Sequence, residues 1–317
     1  MRIHTSIENL DLKNPVVTVG AFDGVHRGHQ FVVEKVKEKA LELHGESVVV
    51  TFQPHPRIFL NSGNYSYRLL NTHLDKMHLF YRTEVNHLIV LSFDRELSQM
   101  TGKKFIEDVL VNKIHMKHFI LGFDNRLGSD QLRSDESLHK IAGKHGFTFE
   151  RLKDVYHENK KVSSSIIRDR LNTGNITEAN ELLGYEYFVF GKVTYGNQIG
   201  KKIGFPTANI EIKDRHKMLP CNGVYIVKVD WNGQMYFGMC NIGIRPTINK
   251  SSFSIEVHLF DFKHDIYNDY LTLYFLERIR DEKRFRSLDE LTGQLYQDKK
   301  ESLKFITQYR LLKKKND

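Results

Sequence analysis

Apolar residues follow two different rhythms along this chain. In the first half, short unbroken apolar runs at Val16–Val19, Ser47–Phe52, His87–Ser92 and His118–Leu121 are each closed by turn or glycine signals. Between the first two, Val32, Val33, Val36, Ala40 and Leu41 recur at helical spacing. Continuously apolar strands alternating with helices predict a parallel sheet covered on both faces, with ligands beyond the carboxyl ends of the strands. Residues 163–184 predict two short helices. The first is capped within Ser163-Ser164-Ser165 and carries Ile166, Ile167 and Leu171; the second runs from Thr177 to Leu183 and stops at Gly184.

After Tyr185 the period becomes two. Tyr187–Tyr195, Gly223–Trp231, Met235–Ile242, Ser254–Phe262 and Tyr270–Leu276 alternate apolar and polar residues between Gly, Asn and Asp turns, which predicts an antiparallel barrel or sandwich. The C-terminus returns to helix. Ser287-x-x-Glu290 and Asp298-x-x-Glu301 have capping-box spacing, and Leu288, Leu291, Leu295, Leu303 and Ile306 form apolar stripes. The expected organisation is therefore two domains, 1–184 and 185–317.

Composition changes this picture little. A 317-residue chain with 40% hydrophobic and 27% charged residues is ordinary for a globular protein. The start, MRIHTSIENLDL, has no apolar leader segment, and no run approaches a membrane span, so a cytoplasmic location is expected. Two cysteines, Cys221 and Cys240, suggest small core residues rather than a disulfide framework or a zinc cluster. The net charge of +8 is scattered, its densest run being Lys313-Lys314-Lys315. That suits polyphosphate ligands better than a nucleic-acid surface. A homo-oligomer is left open. Arg278 and Arg280 read as exposed surface arginines, and Trp231 as a turn residue.

Chemistry concentrates first at Val16–Gln30, VVTVGAFDGVHRGHQ. A buried strand ends in Gly20, a glycine-bearing loop follows, and His26 and His29 open a helix. A helix N-terminus offers unpaired N–H groups and the positive end of a dipole to phosphate, and imidazoles can donate to phosphate oxygens. A bare His-x-x-His also fits a surface helix start, and as a metal site it has no third ligand nearby. The spacing of Gly20, Gly24 and Gly28 behind a buried strand favours nucleotide chemistry. A second concentration, Gly196-Asn197-Gln198-Ile199-Gly200-Lys201-Lys202-Ile203-Gly204-Phe205-Pro206-Thr207-Ala208-Asn209, spaces three glycines for close backbone approach to phosphates. Thr207 and Asn209 add neutral oxygens of the kind Mg²⁺ accepts beside ATP.

Gly20-x-Phe22-Asp23-Gly24-x-His26-x-Gly28-His29 resembles the nucleotidyltransferase superfamily. With Thr51-Phe52-Gln53-Pro54-His55-Pro56, Ser163-Ser164-Ser165-Ile166-Ile167-Arg168 and the Gly204-Phe205-Pro206-Thr207-Ala208-Asn209 signature, nearly the whole chain resembles the bifunctional riboflavin kinase/FMN adenylyltransferase family. The resemblance extends to Leu219-Pro220, Gly223-Val224-Tyr225, Asn241-Ile242-Gly243-x-Arg245-Pro246-Thr247 and Ile255–Phe262. It implies an α/β nucleotidyltransferase domain, Rossmann-like with a parallel sheet, followed by an antiparallel β-barrel riboflavin kinase domain with C-terminal helices.

The resemblance further implies ATP held by Gly20, Phe22, Asp23, Gly24, His26, Gly28, His29, Ser163, Ser164, Ser165 and Arg168, with Ser165 in the family's threonine place. FMN would be held by Pro54, His55, Pro56, Asp124 and Asn125. In the barrel it implies ATP on Gly196, Gly200, Lys202, Gly204, Phe205, Pro206, Thr207 and Asn209, with Mg²⁺ on Thr207 and Asn209. Riboflavin would lie by Asn241, Arg245 and Glu256, the last as the base; without the family, Glu256 reads as an outward-facing residue on a half-buried strand. The segment Gly122-Phe123-Asp124-Asn125-Arg126-Leu127-Gly128 departs from the family's G-x-D/N-F-x-F-G at Asn125 and Leu127, and its following G-R-x-G is absent. That departure motivates one alternative, riboflavin kinase alone with a weakened or non-catalytic first domain; the positive charge motivates a second, a flavin-responsive nucleic-acid-binding regulator.

Overall fold

The computed structural model describes residues 1–61, 67–195, 199–246 and 251–316. The chain divides into two compact units, Met1–Ser164 and Ser165–Asp317.

The first unit is built on a six-stranded sheet of β1 (Arg2–His4), β2 (Val16–Val19), β3 (Ser47–Gln53), β4 (His87–Ser92), β5 (His118–Leu121) and β6 (Thr148–Arg151). The strands are all parallel, in the order β1-β4-β3-β2-β5-β6. All four residues of β2 are buried. Their alternation sends Val16 to one face, with Val32, Val36 and Ala40 of α1 (Arg27–Glu42), and Val17 and Val19 to the other, with Ile106, Leu110 and Leu138. That two-sided burial is why these strands read as apolar runs.

Further helices are α2 (Pro56–Leu60), α3 (His73–Tyr81), α4 (Arg95–Gln99), α5 (Gly102–Lys104), which continues into a π-helical turn over Phe105–Val111, and α6 (Asp135–His145). A short hairpin, β7 (Tyr156–His157) and β8 (Lys160–Lys161), follows. The chain passes from β2 outward to β3 and β4, then returns to place β5 on the other side of β2. The topological switch point therefore lies between β2 and β5, where ligands of such sheets bind.

The second unit contains α7 (Ser164–Asn172, opening on the last residue of the first unit), α8 (Ile176–Leu183), β9 (Phe188–Thr194), α9 (Ile199–Lys202), β10 (Ala208–Glu211), β11 (Gly223–Trp231), β12 (Gln234–Pro246), β13 (Ser251–Leu259), β14 (Tyr270–Arg280) and α10 (Leu288–Asn316). The strands close into a barrel, β10-β13-β12-β11-β14-β9, which decides between barrel and sandwich. Spatially, α7 and α8 belong with this barrel rather than with the sheet: Cys221 N–H donates to Leu171 O at 3.0 Å, Thr177 Oγ1 to Glu277 at 2.8 Å and Asn180 Nδ2 to Phe275 O at 2.9 Å. The compact division thus falls at Ser164/Ser165, ahead of the Gly184 boundary expected from the pattern change.

Two expectations are corrected here. Asp298 does not cap a second helix, because α10 runs through it; its carboxylate is fully buried and takes three hydrogen bonds from Arg280, at 2.9, 3.1 and 2.7 Å. Arg280 is accordingly no surface arginine, its side chain being 14% exposed. Arg278 is likewise held, donating to Asn222 O at 2.8 Å and to Asp281 at 2.6 Å. At the start of α10 the Ser287 hydroxyl does accept from Glu290 N–H, at 3.2 Å.

Candidate active sites

At the carboxyl end of β2 the chain makes a cramped loop. Phe22, Gly24 and Val25 have φ of 49°, 97° and 35°. A positive φ is unusual for an aromatic residue and strained for a β-branched one. Phe22 is buried, its ring edge-on to His29 at 5.2 Å and to Phe80 at 5.4 Å. Asp23 is also buried and accepts from Asn71 N–H at 3.2 Å. A side chain at Gly24 would meet Leu70 at 2.7 Å. The loop is thus seated on residues 70–76, the approach to α3 and its first turn.

His26 is the N-cap of α1. Its Nδ1 accepts from His29 N–H at 3.4 Å, and the two rings stack 3.7 Å apart. Nδ1 acting as acceptor puts the His26 proton on Nε2. Burial, then the neighbouring His26, then Lys76 hold His29 well below the usual histidine range, so it is neutral at pH 7. Its Nδ1 is buried and has no hydrogen-bond partner among the described residues.

The remaining elements of this sheet end bring their own groups. Ser164 Oγ, on the last residue of the first unit, donates to Asp23 O of the loop at 2.7 Å. Ser163 lies just ahead of α7, and Ser165 and Arg168 lie within it. At the end of β3, His55 caps α2 by accepting from Arg57 N–H at 3.1 Å, between Pro54 and Pro56. Across the switch point, Asn125 Nδ2 donates to Val19 O at 2.9 Å. Leu127 is buried and bridges to Leu132. Asn125 and Leu127 therefore hold the segment closed rather than present apolar surface. Asp124 is exposed, and so is Phe123, whose ring lies 5.5 Å from the Arg133 guanidinium and 5.3 Å from Lys161 Nζ.

In the barrel, strand register builds a second site. Asn209 of β10 pairs with Glu256 of β13, Glu256 with Asn241 of β12, Asn241 with Val224 of β11, and Val224 with Arg280 of β14. Directly paired residues share a face, so these five form one row. Ile255, Val257 and Leu259 point into the core between them, as their alternation predicts. Thr207 Oγ1 donates to Glu256 Oε2 at 3.4 Å. Beside this pair lies a cavity of about 300 Å³, mostly apolar through Phe205, Val224, Met239, Phe285, Leu291 and Leu295, with Arg280, Glu282 and Lys283 also on its wall.

The glycine loop is shaped by its backbone. Phe205 N–H donates to Gly200 O at 2.8 Å, and a side chain at Gly200 would fall 2.1 Å from Phe205 O. His258 Nδ1–H donates to Pro206 O at 2.8 Å and so ties β13 to that loop. A second cavity, of about 360 Å³, opens on its other side, lined by Lys201, Pro206, Thr207, His264 and Tyr267 among others. Gly196 lies outside the described residues, as do the side chains of Lys202 and Arg245.

Residues 8–166 match the family model for FAD synthetase and residues 183–306 that for riboflavin kinase. Bifunctional riboflavin kinase/FMN adenylyltransferases are similar along nearly their whole length. The protein from Haemophilus influenzae is 37% identical, with 92% of this chain and 94% of the relative covered. That from Escherichia coli K12 is 31% identical, covering 96% and 98%. This chain belongs to that family. A crystal structure described as a macrolide-efflux protein from Streptococcus pneumoniae shares the fold at TM-score 0.86 and 31% identity, covering 94% of this chain and 97% of that one. Among the described residues no helix is long and apolar enough to cross a membrane.

With the bifunctional family established, three residues stand out to which the sequence pattern gave no functional role. Lys76 lies beneath the His26–His29 loop, His258 anchors the glycine loop, and Arg280 closes the row containing Glu256. The signals were present but ambiguous. Thr72-x-x-Asp75 is a capping-box spacing, and His258 shares the Glu256 face.

Proposed function

We infer that this chain makes FMN and then FAD. In the barrel, the ribityl 5′-hydroxyl of riboflavin attacks the γ-phosphorus of ATP, the bond to the bridging oxygen breaks, and ADP leaves. In the parallel-sheet unit, an FMN phosphate oxygen attacks the α-phosphorus of a second ATP and pyrophosphate leaves. Neither alternative, a kinase alone or a nucleic-acid-binding regulator, is favoured. As functional units we keep 1–184 and 185–317, with Ser165 and Arg168 serving the first.

The observation that carries the kinase assignment is the Thr207–Glu256 pair at the mouth of an apolar cavity. The cavity offers the surface a flat isoalloxazine needs, and the Glu256 carboxylate would take the hydroxyl proton. Asn241 and Arg245 complete the flavin side of our assignment. For Mg²⁺ the donors suit: a hydroxyl, an amide and a nearby carboxylate. Thr207 and Asn209 would hold it, and when bound it would neutralise phosphate charge.

In the first unit, His26 and the neutral His29 at the mouth of α1 would donate to ATP phosphates as charge develops on the leaving pyrophosphate. For the acceptor we assign Pro54, His55, Pro56 and Asp124, and add Phe123 as aromatic surface in place of the residues lost at 125 and 127. The reading carries with it an enzyme working in the cytoplasm, consistent with both cysteines being free.

Purified protein given riboflavin, ATP and Mg²⁺ is expected to yield FMN first and FAD later. Glu256→Gln should stop FMN formation yet convert supplied FMN to FAD, and His29→Ala should do the reverse. Accumulation of FMN with no FAD in the wild type would return the kinase-only reading.

A further inference from the structure

Lys76 is 4% exposed, an unusual position for a lysine. Its Nζ donates to Ala21 O at 2.7 Å and to Thr51 Oγ1 at 3.3 Å. Among the described residues it makes no ion pair: Asp23 acts on it only at longer range, and burial pushes its pKa down to about 8. Two neutral acceptors could be satisfied by a glutamine without the cost of burying a charge. A cation kept here without a bonded carboxylate is balanced best by an anion arriving from outside.

The location fits that expectation. Ala21 belongs to the strained loop between Gly20 and Val25, and Thr51 is at the end of β3. The start of α3 is itself rigid, because Thr72 and Asp75 cap each other at 2.9 and 3.1 Å. The loop is thereby fastened at two residues, Ala21 by Lys76 and Asp23 by Asn71, while Leu70 packs closely against Gly24. With Ala21 O drawn toward Lys76, the backbone enters His26 and α1 in one orientation.

We propose that Lys76 is a positioning residue for adenylyl transfer, fastening the Gly20–Val25 loop to β3 and supplying buried positive charge behind the ATP phosphates. The proposal rests on the adenylyltransferase reading of this unit. It acts through the loop and the two histidines.

The test compares Lys76→Met, Lys76→Gln and Lys76→Arg in the full chain, measuring FAD formation from FMN and FMN formation from riboflavin. Lys76→Met and Lys76→Gln are expected to lower kcat for FAD formation by about 100-fold, as for a misplaced reacting group. KM for FMN and the kinase rate should be unchanged, and Lys76→Arg should recover much of the loss. Undiminished FAD formation in Lys76→Gln, or equal losses in the Gln and Arg variants, would overturn the proposal. Loss of both activities together in Lys76→Gln would also overturn it, by making the residue a general fold determinant. A wild type that makes FMN but no FAD removes the underlying reading itself, whereas an active wild type with an unimpaired Lys76→Gln removes only the role of Lys76.

Discussion

His29 and Lys76 are both basic groups held below their ordinary pKa, and each makes the first unit sensitive to pH in a defined direction. For Lys76 the folded value is about 8 against 10.5 for the free side chain. Between those values the unfolded chain binds a proton that the folded chain does not, so stability rises with pH across this window. The full swing is about 3 kcal/mol, present above the unfolded value and lost as pH falls through about 8. Urea unfolding of wild type and Lys76→Met, followed by circular dichroism between pH 7 and 10, should show the variant gaining relative stability toward neutral pH. A pH-independent difference would contradict the burial of a charge. His29 works the same way lower on the scale: its contribution is present above 6.5 and lost as pH falls toward its depressed folded value. His26 and His29 were legible in the sequence because glycines and a buried strand framed them. Lys76 was not, because a lysine on a short helix is ordinarily a solvated one, and only the tertiary fold shows its amine turned under a loop.

At the scale of elements, the lid of the apolar cavity is set by one buried ion pair. Leu291 and Leu295 of α10 reach the cavity from the same helix that carries Asp298, and Asp298 is clamped to β14 by Arg280. Gln294 Nε2 adds a bond to the same carboxylate at 2.9 Å. Arg280→Met would leave that carboxylate buried without its cation, at a cost of about 3–5 kcal/mol. The double variant Arg280→Met/Asp298→Leu should recover most of this, because an apolar pair of similar size needs no charge compensation. Trp231, the sole tryptophan, sits on β11, so its fluorescence follows barrel unfolding alone. Failure of the double variant to recover would mean that the pair stabilises the barrel outright. The helical pattern gave α10 its apolar stripe, but the capping-box spacing at Asp298 was misleading. A local motif specifies which bonds are feasible, while burial against β14 decides which one forms. Strand β10 was missed for a related reason: its four residues follow Thr207 too closely to show a period of their own.

Across the whole molecule, the two rhythms in the sequence correspond to two separate folding solutions, each with its own site. Every described residue lining the Glu256 cavity comes from the barrel unit. The His26–His29 loop and the Phe123 surface belong to the parallel-sheet unit. The Glu256 cavity is built within the barrel unit, so FMN made there should be usable at the other site after release. Mixing Glu256→Gln chains with His29→Ala chains tests this directly. Supplied with riboflavin, ATP and Mg²⁺, neither variant alone should form FAD, whereas the mixture should form it after a lag while FMN builds up. The lag should shorten as the concentration of His29→Ala chains is raised, because that chain supplies the FMN. A mixture that accumulates FMN yet never makes FAD, while Glu256→Gln alone converts added FMN, would show that FMN must be handed over within one chain.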